Sequence, residues 1–300
     1  MTEVDVVADS IKSMKVRGAR DIAIAAAEAL KDVVKAGGKM AELESAGERL
    51  KAARPSAISL PNAVNYVLYL ADGNKALPDD EFKEKTLKEI DDFLKQIKNS
   101  ILKIAEIGAE IIKDGDVILT HCNSDTAISI LKKAWSDGKK ISVVCTEARP
   151  RHQGYITAKQ CSEHGIPTTL IIDSAVHWAM KEFGVDKVIV GADTICANGD
   201  VVNKVGTANI ALAAKESDVD FFVAADSLKF SAQSLMGKTV NIEERDTSEV
   251  TEIEGVTIRN PGFDVTEAQY VDAIITEEGV MPSQAAYHLL KAKYGWELSK

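Results

Sequence analysis

The sequence predicts an α/β protein, with a helical N-terminal domain over residues 1–113 and a mainly parallel β-sheet over residues 114–300. Two observations lead to this fold class. Before Asp114-Gly115 the apolar residues recur at the spacing of helices, whereas after it short apolar runs alternate with helical segments. Strands that alternate with helices are typical of a doubly wound sheet covered on both faces. A chain of 300 residues with 45% hydrophobic content has enough material for two domains with real cores.

Glycine and proline divide the N-terminal part into four expected helices, which cover 21–36, 41–53, a segment that begins at 60–62, and 79–113. Gly37-Gly38 ends the first helix and Arg54-Pro55 breaks the second. Pro61 suits the first turn of the third. The last and longest helix carries a narrow apolar seam, so we expect it to pack on its own domain and to bridge to the next.

Six strands and four intervening helices are expected in the C-terminal part. The strands are 116–120, 141–146, 168–173, 187–193, 221–226 and 271–276, and the helices are 126–136, 156–164, 175–183 and 206–216. Residues 237–268 are rich in Glu, Thr and Gly, which indicates an insertion or an extended connection.

The overall charge and the cysteine pattern exclude several classes of protein. A net charge of -10 argues against nucleic acid or an anionic membrane as the main partner. No apolar run is long enough to span a bilayer, and the first residues lack the features of a signal peptide. The four cysteines show no paired spacing and the five histidines no metal-binding spacing. We therefore expect a cytoplasmic protein with free thiols and no metal site.

Polar residues follow the predicted strands at the edge where parallel sheets bind ligands. His121 to Ser124 follow the first strand and Asp193 ends the fourth, while Asn203-Lys204 precede a helix that opens at Gly206-Thr207. An acid that faces a lysine and a helix N-terminus favours a phosphorylated ligand. The dinucleotide, P-loop and nucleophile-elbow glycine motifs are missing from the sequence, which lowers the case for those sites.

Cys122 and Asp193 each have a structural and a functional interpretation. Cys122 could be a small buried hydrophobe, yet it precedes a helix whose N-terminus would lower its thiol pKa and make it reactive. From position alone the two interpretations of Cys122 are about equal, while Asp193 alone would more often be a turn or cap residue than a general acid. The basic candidates are also more often surface charges when taken singly; they are Arg17, Arg20, Arg54, Arg149, Arg151, Lys204 and Lys229.

Taken together, five motifs resemble those of the sugar-1-phosphate aldose–ketose isomerases. They are Arg17-Gly18-Ala19, Arg54-Pro55-Ser56-Ala57, Thr120-His121-Cys122-Asn123, the run from Glu147 to Gly154, and Gly191-Ala192-Asp193 with Asn203-Lys204-Val205-Gly206-Thr207. This superfamily includes methylthioribose-1-phosphate isomerases, archaeal ribose-1,5-bisphosphate isomerases and regulatory subunits of a translation-initiation exchange factor. The segments 54–63 and 224–230 look closest to the ribose-1,5-bisphosphate branch.

The resemblance implies a Rossmann-like C-terminal domain, a cleft between the two domains, Cys122 as catalytic base and Asp193 as catalytic acid. It implies an isomerase that forms ribulose 1,5-bisphosphate in nucleoside and AMP degradation without metal or organic cofactor, as a dimer or a trimer of dimers. The implied substrate contacts are Arg17, Gly18, Ala19, Arg20, Arg54, Ser124, Asp125, Thr126, Gln153, Asn203, Lys204 and Lys229. Asp125 departs from the family pattern, since a basic residue is usual there and an acid repels phosphate.

Two alternatives remain open at this point. A methylthioribose-1-phosphate isomerase would need an apolar pocket for the thioether of its substrate. A ribose-1,5-bisphosphate isomerase would need a cationic pocket at the same place for the second phosphate. A regulatory subunit that only binds a sugar phosphate or a nucleotide would need neither Cys122 nor Asp193. The presence of both residues favours an enzyme.

Overall fold

The computed structural model describes residues 2–16, 18–55, 57–237 and 240–294, and the chain divides after Asn99 into two compact units. The helices of the first part are α1 (Glu3–Lys12), α2 (Ala19–Lys35), α3 (Met40–Ala53), α4 (Ser59–Asn74) and α5 (Asp79–Ile111), of which α5 runs across the division. The four expected helices are confirmed. The sequence analysis missed α1, which a capping box between Thr2 and Asp5 begins.

The first unit has a core of small and branched apolar side chains. Ala23, Ala26 and Leu30 of α2 are fully buried, and α2 packs on α4. Gly47 of α3 lies against α4, where an added Cβ would come within 2.9 Å of Val64 Cγ1. The alanine-rich and glycine-containing faces therefore let these helices approach one another closely.

The second unit alternates strands and helices. Its elements are β1 (Val117–Thr120), α6 (Asp125–Ser136), β2 (Ser142–Thr146), α7 (Gly154–Glu163), β3 (Thr168–Ile171), α8 (Val176–Glu182), β4 (Lys187–Gly191), β5 (Thr194–Ile195), β6 (Val201–Lys204), α9 (Thr207–Glu216), β7 (Asp220–Ala224), β8 (Phe263–Thr266), β9 (Ala273–Thr276), β10 (Gly279–Met281) and α10 (Ala286–Tyr294). The predicted fold class, the six strands and the four helices are confirmed. The strands β5, β6, β8 and β10 were not foreseen.

The order of the main sheet is β10-β9-β7-β4-β1-β2-β3, and all its neighbours are parallel except β9 and β10. Ile118 and Leu119 are both fully buried, in separate core clusters, as expected for consecutive residues of a sheet covered on both faces. From β1 the chain proceeds outward to β2 and β3, then returns to β4 on the other side of β1. The carboxyl ends of β1 and β4 therefore flank a topological switch point, where open sheets form a ligand crevice.

Three strands that follow β4 in the sequence form a second, antiparallel sheet in the order β5-β6-β8. Its strand β8 comes from the tract 237–268, which the sequence indicated as an insertion or extended connection. In the register of β6 and β8, Lys204 pairs with Phe263. The tract thus returns to the residues that follow β4 and adds a strand beside them.

A buried ion pair joins β4 to the loop before β1. Lys187 Nζ lies 2.8 Å from Asp116 Oδ2, and each side chain is 8% exposed. We expect Lys187→Met to lower the free energy of unfolding by about 3 kcal/mol, because it leaves a buried carboxylate without its cation. Urea denaturation measures this loss. Adding Asp116→Asn should restore part of it, and a Lys187→Met variant as stable as the wild type would contradict the expectation.

Candidate active site

Cys122 lies two residues after the end of β1 and is held there by α7. Its backbone has a φ of 66°, a left-handed conformation that is uncommon for a side chain other than glycine and occurs at functional sites. The Thr157 hydroxyl donates to the Cys122 carbonyl oxygen at 2.7 Å, and the Cys122 thiol donates to Gln153 Oε1 at 3.5 Å. The thiol and the predicted Gln153 are thus neighbours.

Asp193 lies two residues after the end of β4, on the other side of the switch point. Its backbone N–H donates to the Val202 carbonyl at 2.9 Å, which fixes the turn into the small sheet. Gly191, the last residue of β4, lies so close to Ser124 that an added Cβ would overlap Ser124 Oγ. Glycine at this position therefore lets the segment after β1 approach the end of β4.

Burial raises the pKa of the Cys122 thiol to about 11. Lys204 opposes this shift, Asp193 adds to it and Arg245 opposes it, so all three charged groups act on the thiol. The expectation that the start of α6 would lower the pKa of this thiol is wrong. Ser124 caps that helix by accepting from the Ala127 N–H, and burial has the larger effect. At neutral pH the thiol therefore keeps its proton.

We expect the alkylation of Cys122 by iodoacetamide to speed up with increasing pH, with a midpoint near the thiol pKa of about 11. Only the thiolate reacts, and its fraction grows as pH rises toward the pKa. Peptide mapping by mass spectrometry separates Cys122 from the other thiols. A midpoint below about 8.5, the ordinary cysteine value, would contradict the structure.

Lys204 lies on β6 and is 4% exposed. Burial lowers the pKa of its ammonium group, and the titratable groups that interact with it electrostatically include Cys122, Arg245 and Asp193. The adjacent Asn203 donates to Thr207 Oγ1 at 3.1 Å, so it helps to fix the start of α9. Of the predicted pair, Asn203 therefore makes a structural contact, while Lys204 is a buried cation that acts electrostatically on the thiol.

The N-terminus of α9, where the sequence favoured a bound phosphate, is occupied by a carboxylate of the protein itself. Asp264 Oδ2 accepts from the Gly206 N–H at 2.7 Å and from the Ala208 N–H at 3.2 Å. Burial raises the pKa of Asp264, while these N–H groups oppose the shift. A phosphate at this helix start would have to displace this carboxylate, and its binding there remains a prediction.

His121 connects three loops of the site. The Thr146 hydroxyl donates to its Nδ1 at 2.5 Å, and its Nε2–H donates to the Val205 carbonyl at 3.0 Å. Burial lowers the pKa of the imidazole, so it remains neutral and holds the ends of β1 and β2 against the loop after β6. These bonds fix the residue that directly precedes Cys122.

Some of the other predicted residues in this unit already form hydrogen bonds or ion pairs within the protein, and others are exposed or half-buried. The Thr126 hydroxyl donates to the Ala224 carbonyl at 2.8 Å and contacts Ser124, whereas Asp125 is exposed. Lys229 is half-buried in a single helical turn after β7. Arg151 is paired with Glu249. Arg149 likewise donates to the Val250 carbonyl, so these two basic candidates hold the tract after β7.

In the first unit, Gly18 precedes α2 and Arg54 ends α3. The Ser59 hydroxyl donates to the Ala19 carbonyl at 2.9 Å, which brings the loop after Arg54 to the start of α2. Arg20 is half-buried and lies 3.8 Å from Asp21. Arg17 lies outside the described residues. The substrate contacts of these N-terminal residues remain predictions.

Arg245 also acts electrostatically on the thiol, and the sequence did not predict this residue as part of the site. It lies between Glu243-Glu244 and Asp246, a pattern typical of a solvated surface charge. Only the pairing of β8 with β6 brings its surroundings back to Lys204.

Over the described ranges, no three His, Cys, Asp or Glu groups are arranged to hold a metal ion, and no helix is long and apolar enough to cross a bilayer.

Comparison with known proteins places the chain among enzymes and initiation factors. The model of the Initiation factor 2 subunit family matches residues 15–283. The chain is 47% identical over 309 residues to a ribose 1,5-bisphosphate isomerase of Methanocaldococcus jannaschii, covering 99% of this chain and 98% of that protein. It is 39% identical to a methylthioribose-1-phosphate isomerase of Acetivibrio thermocellus, covering 92% and 87%. The solved 5-methylthioribose 1-phosphate isomerase of Pyrococcus horikoshii OT3 is 32% identical, with a TM-score of 0.77 over 98% of this chain and 88% of that one.

Proposed function

We propose that this chain, which belongs to the Initiation factor 2 subunit family, isomerises ribose 1,5-bisphosphate to ribulose 1,5-bisphosphate. The observation that carries this proposal is the presence of a thiol and a carboxyl at the switch point of the sheet, after adjacent strands. Cys122 follows β1, Asp193 follows β4, and Lys204 acts electrostatically on the thiol. Such a pair can remove one proton and supply another while a cation holds an anionic substrate.

The chemistry needs both groups, because a sugar with phosphate on its anomeric oxygen cannot open to a free aldehyde. The Asp193 carboxyl gives its proton to the ring oxygen, and the bond from C1 to that oxygen breaks. The Cys122 thiolate takes the proton from C2, which leaves an enol phosphate. The C2 hydroxyl proton then passes to the Asp193 carboxylate while the Cys122 thiol protonates C1. The product is the ketose, and both side chains return to their starting states.

The thiol pKa of about 11 determines how the pair must be protonated. At neutral pH the Cys122 thiol of the resting form keeps its proton, and in the reactive form this proton has passed to Asp193. Because the two forms contain equal numbers of protons, their ratio does not change with pH between the two macroscopic pKa values. General acid–base catalysis of this kind contributes roughly two to four orders of magnitude to the rate.

The identities to the named relatives and the presence of the thiol and the carboxyl favour the bisphosphate over the two alternatives. Identity is 47% to the ribose 1,5-bisphosphate isomerase over nearly the full length of both chains, against 39% to the methylthioribose-1-phosphate isomerase. A regulatory subunit that only binds ligand would need neither the thiol nor the carboxyl. We propose that the remaining predicted contacts bind this substrate: Arg17, Gly18, Ala19, Arg20, Arg54, Ser124, Asp125, Thr126, Gln153, Asn203 and Lys229.

A steady-state assay with three sugars tests this function. We expect kcat/KM for ribose 1,5-bisphosphate to exceed that for methylthioribose 1-phosphate and ribose 5-phosphate by at least about tenfold, because each lost charge-assisted contact to phosphate costs about 1.5–3 kcal/mol. Comparable values for the bisphosphate and the methylthio sugar would favour the sister activity. Tight binding without turnover of either sugar would favour a regulatory subunit.

We further propose that the enzyme is a cytoplasmic homo-oligomer built on a dimer of the second unit. The edge strand β3 and the segment after it expose Leu170, Ile172 and Trp178, at 45%, 58% and 55%. Exposed apolar side chains at an open sheet edge fit a self-complementary two-fold contact. Light scattering at micromolar concentration should give at least a dimer, and Ile172→Lys should lower the mass; a monomeric wild type would exclude the dimer.

The described cysteines are free, which fits a reducing compartment.

A further inference from the structure

Two largely buried cations of the second unit act electrostatically on the Cys122 thiol. Lys204 is 4% exposed and the Arg245 side chain 10% exposed. They approach the same aromatic ring: Lys204 Nζ is 5.5 Å and the Arg245 guanidinium 5.2 Å from the ring centroid of Phe263. Each also acts electrostatically on the other. Two like charges have therefore been brought together inside the protein.

The position of Arg245 is built by its surroundings. Its backbone N–H donates to the Asn260 carbonyl at 2.9 Å. Gly262 passes so close that an added Cβ would lie 2.8 Å from Arg245 Nε. Farther along the same tract, Glu249 pairs with Arg151 of the loop after β2. The tract that carries Arg245 is thus fixed at several points.

The protein does not fully satisfy this guanidinium. Arg245 Nε is buried and donates no hydrogen bond within the described ranges; Glu243 Oε1 forms an ion pair with it at 3.7 Å, which is longer than a hydrogen bond. A buried donor without an acceptor is costly, and a second cation nearby raises the cost. An anion with several oxygens would satisfy both groups, and phosphate matches the planar fork of an arginine.

We propose that Arg245 binds a phosphate group of the sugar substrate together with Lys204, and that this is the phosphate on the anomeric oxygen. Because the base acts at C2, we expect cations that act electrostatically on Cys122 to lie nearer the phosphate on C1 than the one on C5. This assignment rests on the proposed function. The existence of a phosphate site at Arg245 does not rest on the proposed function, since this site is inferred from the two buried cations alone.

Binding of inorganic phosphate to the full-length protein, measured by calorimetry, tests the site without any turnover. Arg245→Gln should weaken this binding at least about tenfold, which is about 1.4 kcal/mol. Arg245→Lys should weaken it less, because the charge remains and the fork is lost. The matched control is Arg259→Gln, which removes an exposed arginine of the same tract that pairs with Glu244. The control should bind phosphate like the wild type.

Inhibition of the enzyme by ribose 1-phosphate and ribose 5-phosphate tests which phosphate is bound. Arg245→Gln should raise the inhibition constant of the 1-phosphate far more than that of the 5-phosphate, and the reverse order would overturn the assignment. Phosphate binding by Arg245→Gln that equals the wild type, in a folded variant, would overturn the site itself. If Gln unfolds the protein, unchanged binding by Arg245→Lys overturns the bidentate contact. A wild type that binds phosphate through Arg245 yet isomerises no sugar would refute only the proposed function.

Discussion

Cys122→Ser should lower kcat for ribose 1,5-bisphosphate by about two to four orders of magnitude while substrate binding changes little. A serine hydroxyl is far less acidic than a thiol, so the anion that removes the C2 proton scarcely forms. The two side chains are nearly the same size, the Thr157 contact to the carbonyl oxygen of residue 122 does not involve its side chain, and a serine hydroxyl can also donate to Gln153. Steady-state kinetics gives kcat, and calorimetry with the inactive variant gives the affinity.

Cys196→Ser is the matched control for this change. Cys196 is also half-buried in the second unit, and burial raises the pKa of its thiol to about 11 as well. It lies in the turn between β5 and β6, where its backbone N–H donates to the Asp200 carbonyl. We expect this control to keep wild-type kcat. If Cys122→Ser kept a tenth of wild-type kcat, its activation free energy would have risen by only about 1.4 kcal/mol. This increase is too small for the loss of the catalytic base, so Cys122 would not be the base.

Asp193→Asn should lower kcat to a similar degree and should also change how the activity depends on pH. In the wild type the thiol can pass its proton to Asp193, so kcat/KM should stay level between an acid limb and a base limb. In the variant the thiol must lose its proton to solvent. Residual activity should then rise about tenfold per pH unit below the thiol pKa, because the thiolate fraction rises at that rate.

The midpoint of that rise should fall below the wild-type thiol pKa of about 11, since Asp193 is one of the groups that raise it. Asp220→Asn is a suitable control. Asp220 is exposed at the amino end of β7, the opposite end from the ligand edge. An Asp193→Asn enzyme with the rate and the pH profile of the wild type would exclude the acid role.

Most of the fold was predictable because its elements are set by local patterns. The run Lys187 to Asp193 is apolar enough to indicate a buried strand, and the structure has β4 there. Gly37 and Pro61 mark a helix end and a helix start, as expected. The short strands β5 and β10 have 2 and 3 residues, too few to show a period. Strand order depends on long-range packing, which no local pattern encodes.

The site was predictable where it lies at the ends of long strands. Cys122 and Asp193 follow β1 and β4, so the rule that parallel strands end at one edge brings them to the same crevice. Arg245 was missed because its position depends on β8 returning to β6 across about sixty residues. The sequence also predicted the wrong direction for the shift of the Cys122 pKa. Burial depends on the tertiary structure, and its effect on this pKa is larger than that of the nearby helix start.

A crystal structure of Cys122→Ser with ribose 1,5-bisphosphate tests the roles of the two residues most directly. It should show the hydroxyl introduced at position 122 facing C2 of the sugar and the Asp193 carboxyl about 2.6–3.2 Å from the ring oxygen. Lys204 should contact the phosphate on the anomeric oxygen. A sugar bound at another edge of the sheet, or one whose ring oxygen lies beyond the reach of Asp193, would contradict the assignment of base and acid.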